Sequence, residues 1–387
     1  MKYQRLIDLS LIEHKSLFLF GPRQTGKSFL LKERYPKAPY YDLLKSDLFL
    51  KFSKFPHLLR EELLAQKIQG PVIIDEIQKI PILLDEVHHL IEAKGMKFIL
   101  TGSSARKLKR GGANLLAGRA LKKNLYPLTY PELLNANIDL DKIINFGKLP
   151  AILNSKIAYE ELVAYVGTYL KEEVYAESLV RNLEPFSQFL DLVGLSNTEM
   201  VSYTNISSDL GVSAKTVKEY YTILEDTLLG ELLSPFTKTI KRKPTRTPKF
   251  YLFDIGVANI LGQRIAVKQK SEAFGKCFEH FIYTELRAYL DYHSDLRKLT
   301  FWRSKNHQEV DFLIGDSIAI EVKGTTQVQK RHLKGLQVLS EEINLKHKIV
   351  VSLDSAARLI AIDGDEYHIL PYQIFLEKLW NHEFGRE

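Results

Sequence analysis

Eight consecutive residues, Gly21-Pro22-Arg23-Gln24-Thr25-Gly26-Lys27-Ser28, satisfy the pattern G-x-x-x-x-G-K-[ST] at every fixed position. A loop of this kind wraps backbone N–H groups around nucleotide phosphates. Lys27 would reach the β- and γ-phosphates, and the Ser28 hydroxyl would hold Mg²⁺. The expected ligands are therefore ATP and Mg²⁺. Further along, Val72-Ile73-Ile74-Asp75-Glu76 is an apolar run ending in two carboxylates. Asp75 is placed to hold the Mg²⁺ water shell beside Ser28, and Glu76 to polarise an attacking water as general base. A third run, Lys97-Phe98-Ile99-Leu100-Thr101-Gly102-Ser103-Ser104, also ends in small polar residues. Ser103 and Thr101 are both candidates to sense the γ-phosphate or position the water; a serine N-cap fits the same turn equally well.

A second set of chemistry-bearing residues lies near the C-terminus. Glu309-Val310-Asp311-Phe312-Leu313-Ile314 and Ser317-Ile318-Ala319-Ile320-Glu321-Val322-Lys323 alternate with period two. Val310, Phe312 and Ile314 share one face, as do Ile318, Ile320 and Val322. Asp311, Glu321 and Lys323 project from the other faces, so suitable pairing brings two carboxylates and an ammonium together. In the preceding helical stretch Glu279 shares a face with Gly275, Ile282 and Leu286. His280 and His307 read as ordinary polar residues and Cys277 as a packed one.

These residues need elements to hold them. Strands are expected at Ser16–Phe20, Pro39–Asp42, Val72–Asp75, Lys97–Thr101 and Ala120–Leu125, with helical stretches between: the rhythm of a parallel sheet covered on both faces. Ser16–Phe20, the glycine-rich loop and Phe29–Arg34 form the strand–loop–helix unit that phosphate binding requires. From Ala158 to Val180 the apolar spacing is helical. Tyr203–Tyr221 reads as helix, glycine turn and second helix, with Ser213 as N-cap and Lys215 and Lys218 facing outward. Lys238–Lys249 then holds six basic residues and no acid, and its two prolines exclude a helix. A basic hairpin after a helix-turn-helix is what a winged helix offers to a phosphate backbone. Near the end, Phe274–Asp291 reads as a helix and Leu299–Lys323 as a three-stranded meander.

The bulk composition agrees with a globular chain. Its 387 residues are 45% hydrophobic and 26% charged, with a net charge of +7. The charge permits an acidic partner such as DNA. Cys277 is the only cysteine, which excludes a disulfide framework and a cysteine zinc site. No apolar run approaches the ~18 residues of a membrane span, and the first ten residues do not read as a secretory signal. A cytoplasmic protein without a membrane partner is expected.

Taken with "VIIDEIQ", "LTGSSA" and "LLAGRALKKNLYPLTYPELL", the phosphate loop resembles that of AAA-type ATPases. More narrowly it resembles an uncharacterised archaeal and bacterial family that carries a C-terminal domain of unknown function. The resemblance implies an α/β fold with four parts: a P-loop ATPase core at 1–135, a helical lid at 136–183, a winged helix at 184–262 and an α/β nuclease-like domain at 263–387. It also implies that Arg119 contacts a nucleotide phosphate, in cis or from a neighbouring subunit of a homo-oligomer, with Arg106 and Arg110 as competitors. The D…E-x-K spacing resembles the PD-(D/E)XK nucleases. That likeness implies Mg²⁺ on Asp311 and Glu321, Glu279 as a further acid, and Lys323 orienting the attacking water. A silent nuclease-like sheet, in an ATP-dependent regulatory switch that binds DNA or protein, is the competing expectation.

Overall fold

The computed structural model describes residues 2–104, 115–136, 138–170, 183–239 and 242–385. The chain forms two compact units. One comprises Gln4–Pro127 with Asp226–Leu229; the other comprises Met1–Tyr3, Leu128–Glu225 and Gly230–Glu387.

The first unit is built on five parallel strands: β1 (Ser16–Phe20), β2 (Tyr40–Asp42), β3 (Val72–Asp75), β4 (Phe98–Gly102) and β5 (Ala120–Asn124), in the order β2-β3-β4-β1-β5. Every residue of β1, β3 and β4 is buried, as expected of central parallel strands covered on both faces. Phe18, Phe20, Ile74 and Leu100 pack in one core with Leu59, Val87 and Leu90 of the surrounding helices. β2 and β4 each begin one residue later than expected, a shift of the size usual at element ends. Phe20 pairs with Gly102 and Ile74 with Leu100, so the segments that follow β1, β3 and β4 emerge side by side. Ligands of open parallel sheets bind at this carboxyl edge. Asp226–Leu229 completes the unit: the Ser104 hydroxyl donates to the Asp226 carbonyl at 3.4 Å, and Leu228 packs against the core.

The second unit contains the helix-turn-helix. Helix Tyr203–Leu210 ends at Gly211, and the next helix, Ala214–Asp226, is capped by Ser213, whose hydroxyl accepts from the Thr216 N–H at 3.1 Å. Lys215 and Lys218 are exposed on it. Its buried face, Val217, Tyr220, Tyr221 and Leu224, meets Phe186 and Phe189 of helix Leu183–Leu195. β6 (Gly230–Leu233) and β7 (Lys249–Leu252) then pair antiparallel. In the segment expected to form a lid, helix Ala158–Ala164 runs into a wider π-turn at Tyr165–Leu170; the rest of the helix expected up to Val180 lies outside the described residues.

The C-terminal part is a mixed six-stranded sheet. The expected meander is β8 (Leu299–Arg303), β9 (Glu309–Ile314) and β10 (Ile318–Lys323), all antiparallel neighbours. Beyond it, β11 (His347–Ser352) pairs parallel with β10, β13 (Asp365–Pro371) parallel with β11, and β12 (Arg358–Ile362) antiparallel with β13. Helix Glu272–Tyr292 packs Phe278, Phe281, Ile282 and Leu286 against Phe312, Ile318 and Ile320.

The connection between β6 and β7 is the segment expected as a basic hairpin offered to a phosphate backbone. It runs along the open edge of β8. Phe236 N–H donates to Phe301 O at 2.6 Å, Phe301 N–H to Ser234 O at 3.3 Å, and Thr245 N–H to Arg303 O at 2.8 Å. Arg242 pairs with Glu341 and Glu342, and Lys249 is buried. Lys238, Lys243 and Arg246 remain exposed, while Lys241 lies outside the described residues.

A polar cluster inside this unit was not anticipated. The fully buried Glu285 pairs with the equally buried Lys148, and also accepts from Tyr130 N–H at 3.0 Å and Trp380 Nε1–H at 3.1 Å. Asp254 caps helix Ile255–Leu261 and accepts from Lys148 N–H at 2.7 Å.

Candidate nucleotide site and acidic cluster

Between β1 and helix Lys27–Arg34, the phosphate loop turns through Gln24 (φ 62°) and Gly26 (φ 93°). The left-handed conformation at Gly26 suits a residue with no Cβ. Thr25 is fully buried and its hydroxyl donates to Pro22 O at 2.8 Å. The Lys27 ammonium lies within the loop, donating to Gly21 O at 2.6 Å and Pro22 O at 3.1 Å. Arg5 braces the loop from below: one guanidinium nitrogen donates to Thr25 O and another to Tyr126 O, each at 2.6 Å. Arg23 is half-buried and Gln24 exposed.

At the tip of β3, Asp75 collects three hydroxyls. Ser28 Oγ donates to Oδ2 at 2.6 Å, the Tyr40 phenol to the same oxygen, and Thr101 Oγ1 to Oδ1. Burial, with the Asp75 carboxylate beside it, pushes the Tyr40 phenol well above its ordinary pKa, so it stays a neutral donor. Thr101, one of the two candidate sensors, is therefore bound to Asp75; it also accepts from Glu76 N–H at 3.1 Å.

Glu76 sits in a left-handed conformation (φ 61°), which costs a residue with a side chain of order 1–3 kcal/mol. Its Oε2 accepts from Gln78 Nε2 at 2.5 Å and lies 3.5 Å from Ser103 Oγ; Gln78 Nε2 also reaches Ser103 at 3.1 Å. Gly102 admits this arrangement, since a Cβ there would come within 2.6 Å of Gln78 Oε1. Asp75, Glu76 and Ser103 thus converge with Ser28 at one edge of the sheet. Arg119 instead forms a surface ion pair with Glu92, and Arg106 and Arg110 lie outside the described residues. Arg5, Tyr40 and Gln78 belong to this site and were not singled out from the sequence.

In the C-terminal sheet, Asp311 accepts from Val322 N–H at 2.8 Å, and Lys323 pairs with Glu321 Oε1 at 2.5 Å. Glu321 Oε2 is buried without a hydrogen-bond partner. Burial, and then the nearby Asp311 charge, raise the Glu321 pKa to about 8. Glu279 is engaged differently. Its Oε1 accepts from Lys249 Nζ at 3.0 Å and from the Tyr251 hydroxyl at 2.6 Å, and Lys249 also reaches Glu309 at 2.7 Å. Burial raises the Glu279 pKa, while Lys249 lowers it in part. Among the described residues no three His, Cys, Asp or Glu side chains are disposed to hold a metal ion. Of the three carboxylates expected to hold magnesium, Glu279 pairs with Lys249 and Glu321 with Lys323, while Asp311 lies close enough to both to raise their pKa values. Buried His280 donates from Nε2–H to Leu252 O at 2.6 Å and accepts at Nδ1 from Asn197 Nδ2 at 3.1 Å, and burial lowers its pKa to about 3, so it is a neutral structural side chain.

Residues 13–134 match the family model for an AAA domain, and the first unit is accordingly an AAA-type P-loop domain, a nucleotide-binding fold. Residues 137–269 and 274–374 match two domains of unknown function, DUF8612 and DUF4143. An uncharacterized protein of Mycobacterium tuberculosis (strain H37Rv) is 24% identical over 80% of this chain and 70% of its own length. One from Methanocaldococcus jannaschii is 24% identical over 95% of this chain and 89% of its own. Among solved structures, the replication initiator DnaA bound to AMPPCP and single-stranded DNA aligns with 56% of this chain and 85% of its own at a TM-score of 0.30 and 12% identity. The Aeropyrum pernix ORC1 protein in complex with DNA aligns with 66% and 89% at 0.22 and 14%. No described helix is long and apolar enough to cross a membrane.

Proposed function

We propose that this chain binds ATP with Mg²⁺ at Gly21–Ser28 and hydrolyses it, and that it acts on, or is controlled by, DNA. The convergence of Ser28 and Asp75 in one hydrogen bond, with Glu76 the next residue, carries this reading. The donor set fits a magnesium ion: a serine hydroxyl that donates to Asp75 keeps a lone pair for a cation, and hard oxygen donors suit Mg²⁺. Bound there, the ion would neutralise charge on the β- and γ-phosphates. Phosphate oxygens would compete with Gly21 O and Pro22 O for the Lys27 ammonium. Glu76, aimed by Gln78, would take a proton from the attacking water, and Ser103 would contact the γ-phosphate side. Arg119 would serve as an arginine finger, in cis or across a homo-oligomer. The DNA contact would run through Lys215, Lys218, Lys243 and Arg246, all exposed.

Phosphate release by the full chain tests the first claim. Lys27→Ala should lose nucleotide binding, and Glu76→Gln should keep binding but lose turnover. Wild-type turnover in Glu76→Gln would sink the base assignment. For DNA, Lys243→Ala with Arg246→Ala should weaken binding across all sequences and flatten the salt dependence; unchanged binding would remove this surface.

A second reading concerns the C-terminal sheet. The unpartnered Glu321 Oε2 favours a pocket that accepts a cation beside Asp311. Asp311 and Glu321 fit such an ion, whereas Glu279, held by Lys249 and Tyr251, does not. Phosphodiester cleavage would follow the nuclease resemblance. The alternative, a nucleotide-controlled switch without cutting, is favoured by the two ammonium groups already neutralising the cluster. Mg²⁺-dependent plasmid nicking by wild type and Asp311→Ala separates them. Intact DNA binding with no cutting in any nucleotide state would sink the nuclease.

A further inference from the structure

We propose that Tyr40 is a positioning residue for the nucleotide's magnesium ion, holding Asp75 in the orientation the metal requires. This inference rests on the nucleotide reading of Gly21–Ser28 and extends it to a side chain outside both sequence motifs.

A carboxylate offers about four acceptor positions. Three positions on Asp75 are filled by hydroxyl donors from different segments: Ser28 from the helix after the phosphate loop, Thr101 from β4, and Tyr40 from the edge strand β2. Thr101 fixes Oδ1. Tyr40 and Ser28 share Oδ2, the oxygen on the phosphate-loop side. Removing one of two donors on Oδ2 frees the carboxylate to rotate about its last torsion, which is intrinsically soft.

The phenol is itself held in place. Its ring lies under the Lys32 ammonium, 4.9 Å from the centroid, and Lys32 belongs to the same helix as Ser28. Strand β2 is in register with β3, pairing Asp42 with Asp75. Tyr40 therefore ties the helix that carries the phosphate loop to the strand that carries Asp75. Its hydroxyl oxygen also retains lone pairs that can accept from a water on the ion. Outer-sphere partners of this kind typically alter metal affinity by about 10- to 100-fold when removed.

The test is Tyr40→Phe in the full chain, which keeps the ring, its packing and the lysine contact. A fluorescent ATP analogue is titrated with Mg²⁺ present and with EDTA, alongside a melting temperature. The expected result is affinity about tenfold weaker in Mg²⁺, unchanged affinity in EDTA and a melting point close to wild type. Titrating Mg²⁺ at saturating analogue should show the same shift as a higher Mg²⁺ midpoint. Equal losses with and without Mg²⁺ would mark Tyr40 as purely structural and overturn the proposal, and so would no loss in either. A wild-type chain that binds the analogue in neither condition would overturn the nucleotide reading itself, which is a distinct outcome.

Discussion

The side-chain amide of Gln78 holds the Glu76 carboxylate at 2.5 Å and, with the same nitrogen, reaches Ser103 at 3.1 Å. A proposed general base is thereby aimed by a neighbour two residues on, which also ties it to the next strand's tip. Gln78→Ala should lower kcat about tenfold to a hundredfold, the penalty typical of a misplaced reacting group, and leave KM for ATP nearly unchanged. Gly102→Ala should act in the same direction, because its Cβ would come within 2.6 Å of Gln78 Oε1. Steady-state phosphate release checks both; a rise in KM with kcat intact would mean the amide serves binding instead.

Arg5 reaches the backbone of the phosphate loop at Thr25 and of the β5 exit at Tyr126 with two nitrogens of one planar fork. Lysine keeps the charge but has no fork. Arg5→Lys should weaken nucleotide binding to a similar extent with Mg²⁺ and with EDTA, since the loop itself loses support. Titration of a fluorescent ATP analogue under both conditions measures this. A loss confined to Mg²⁺ would contradict a loop-bracing role.

Glu321 gives a pH-dependent prediction. Its folded-state pKa is raised to about 8, against 4.5 for the ordinary carboxyl, by burial and by Asp311. Between those values the folded chain holds a proton that the unfolded chain has released, so stability falls as pH rises through the window. Lys249 and Lys323, whose pKa values are raised, stay charged throughout it. His280 contributes in the opposite sense below about 6.5, but it is common to wild type and variant and cancels. Glu321→Gln should therefore gain stability relative to wild type between about pH 5 and pH 8. Denaturant melts across this range would show it; a constant difference between the two proteins would refute it.

The buried Lys148–Glu285 pair predicts a stability loss without a functional one. Lys148→Met leaves the Glu285 carboxylate buried with Tyr130 and Trp380 as its remaining donors. The expected cost is about 3–5 kcal/mol. Pairing it with Glu285→Leu should recover part of that loss. Chemical denaturation of the two variants checks the order, and a double variant worse than the single would refute it.

The first unit's sheet was readable because its central strands are unbroken apolar runs. Phosphate loop, Asp75 and Glu76 could be named in advance because they sit in contiguous motifs at strand tips. Tyr40, Gln78 and Arg5 were not legible: each works through hydrogen bonds to residues distant in sequence, and tyrosine, glutamine and arginine are too common to mark such contacts. β11, β12 and β13 were not expected; β12, an edge strand with largely exposed residues, lacks strong alternation. The acidic cluster was half legible. Period-two spacing brought out Asp311, Glu321 and Lys323, but Lys249 was counted within a basic surface run. Its neighbours in sequence gave no sign that it would be buried against Glu279 and Glu309.

The backbone bonds from Ser234, Phe236 and Thr245 to β8 bear on edge-to-edge strand pairing at this side of the sheet. An open strand edge is a template on which another chain can add itself. Here the chain sheathes that border with its own β6–β7 connection, whose prolines limit what it can offer a further strand. Shortening the connection would uncover the border, so the consequence to look for is self-association of the truncated chain into oligomers or fibrils.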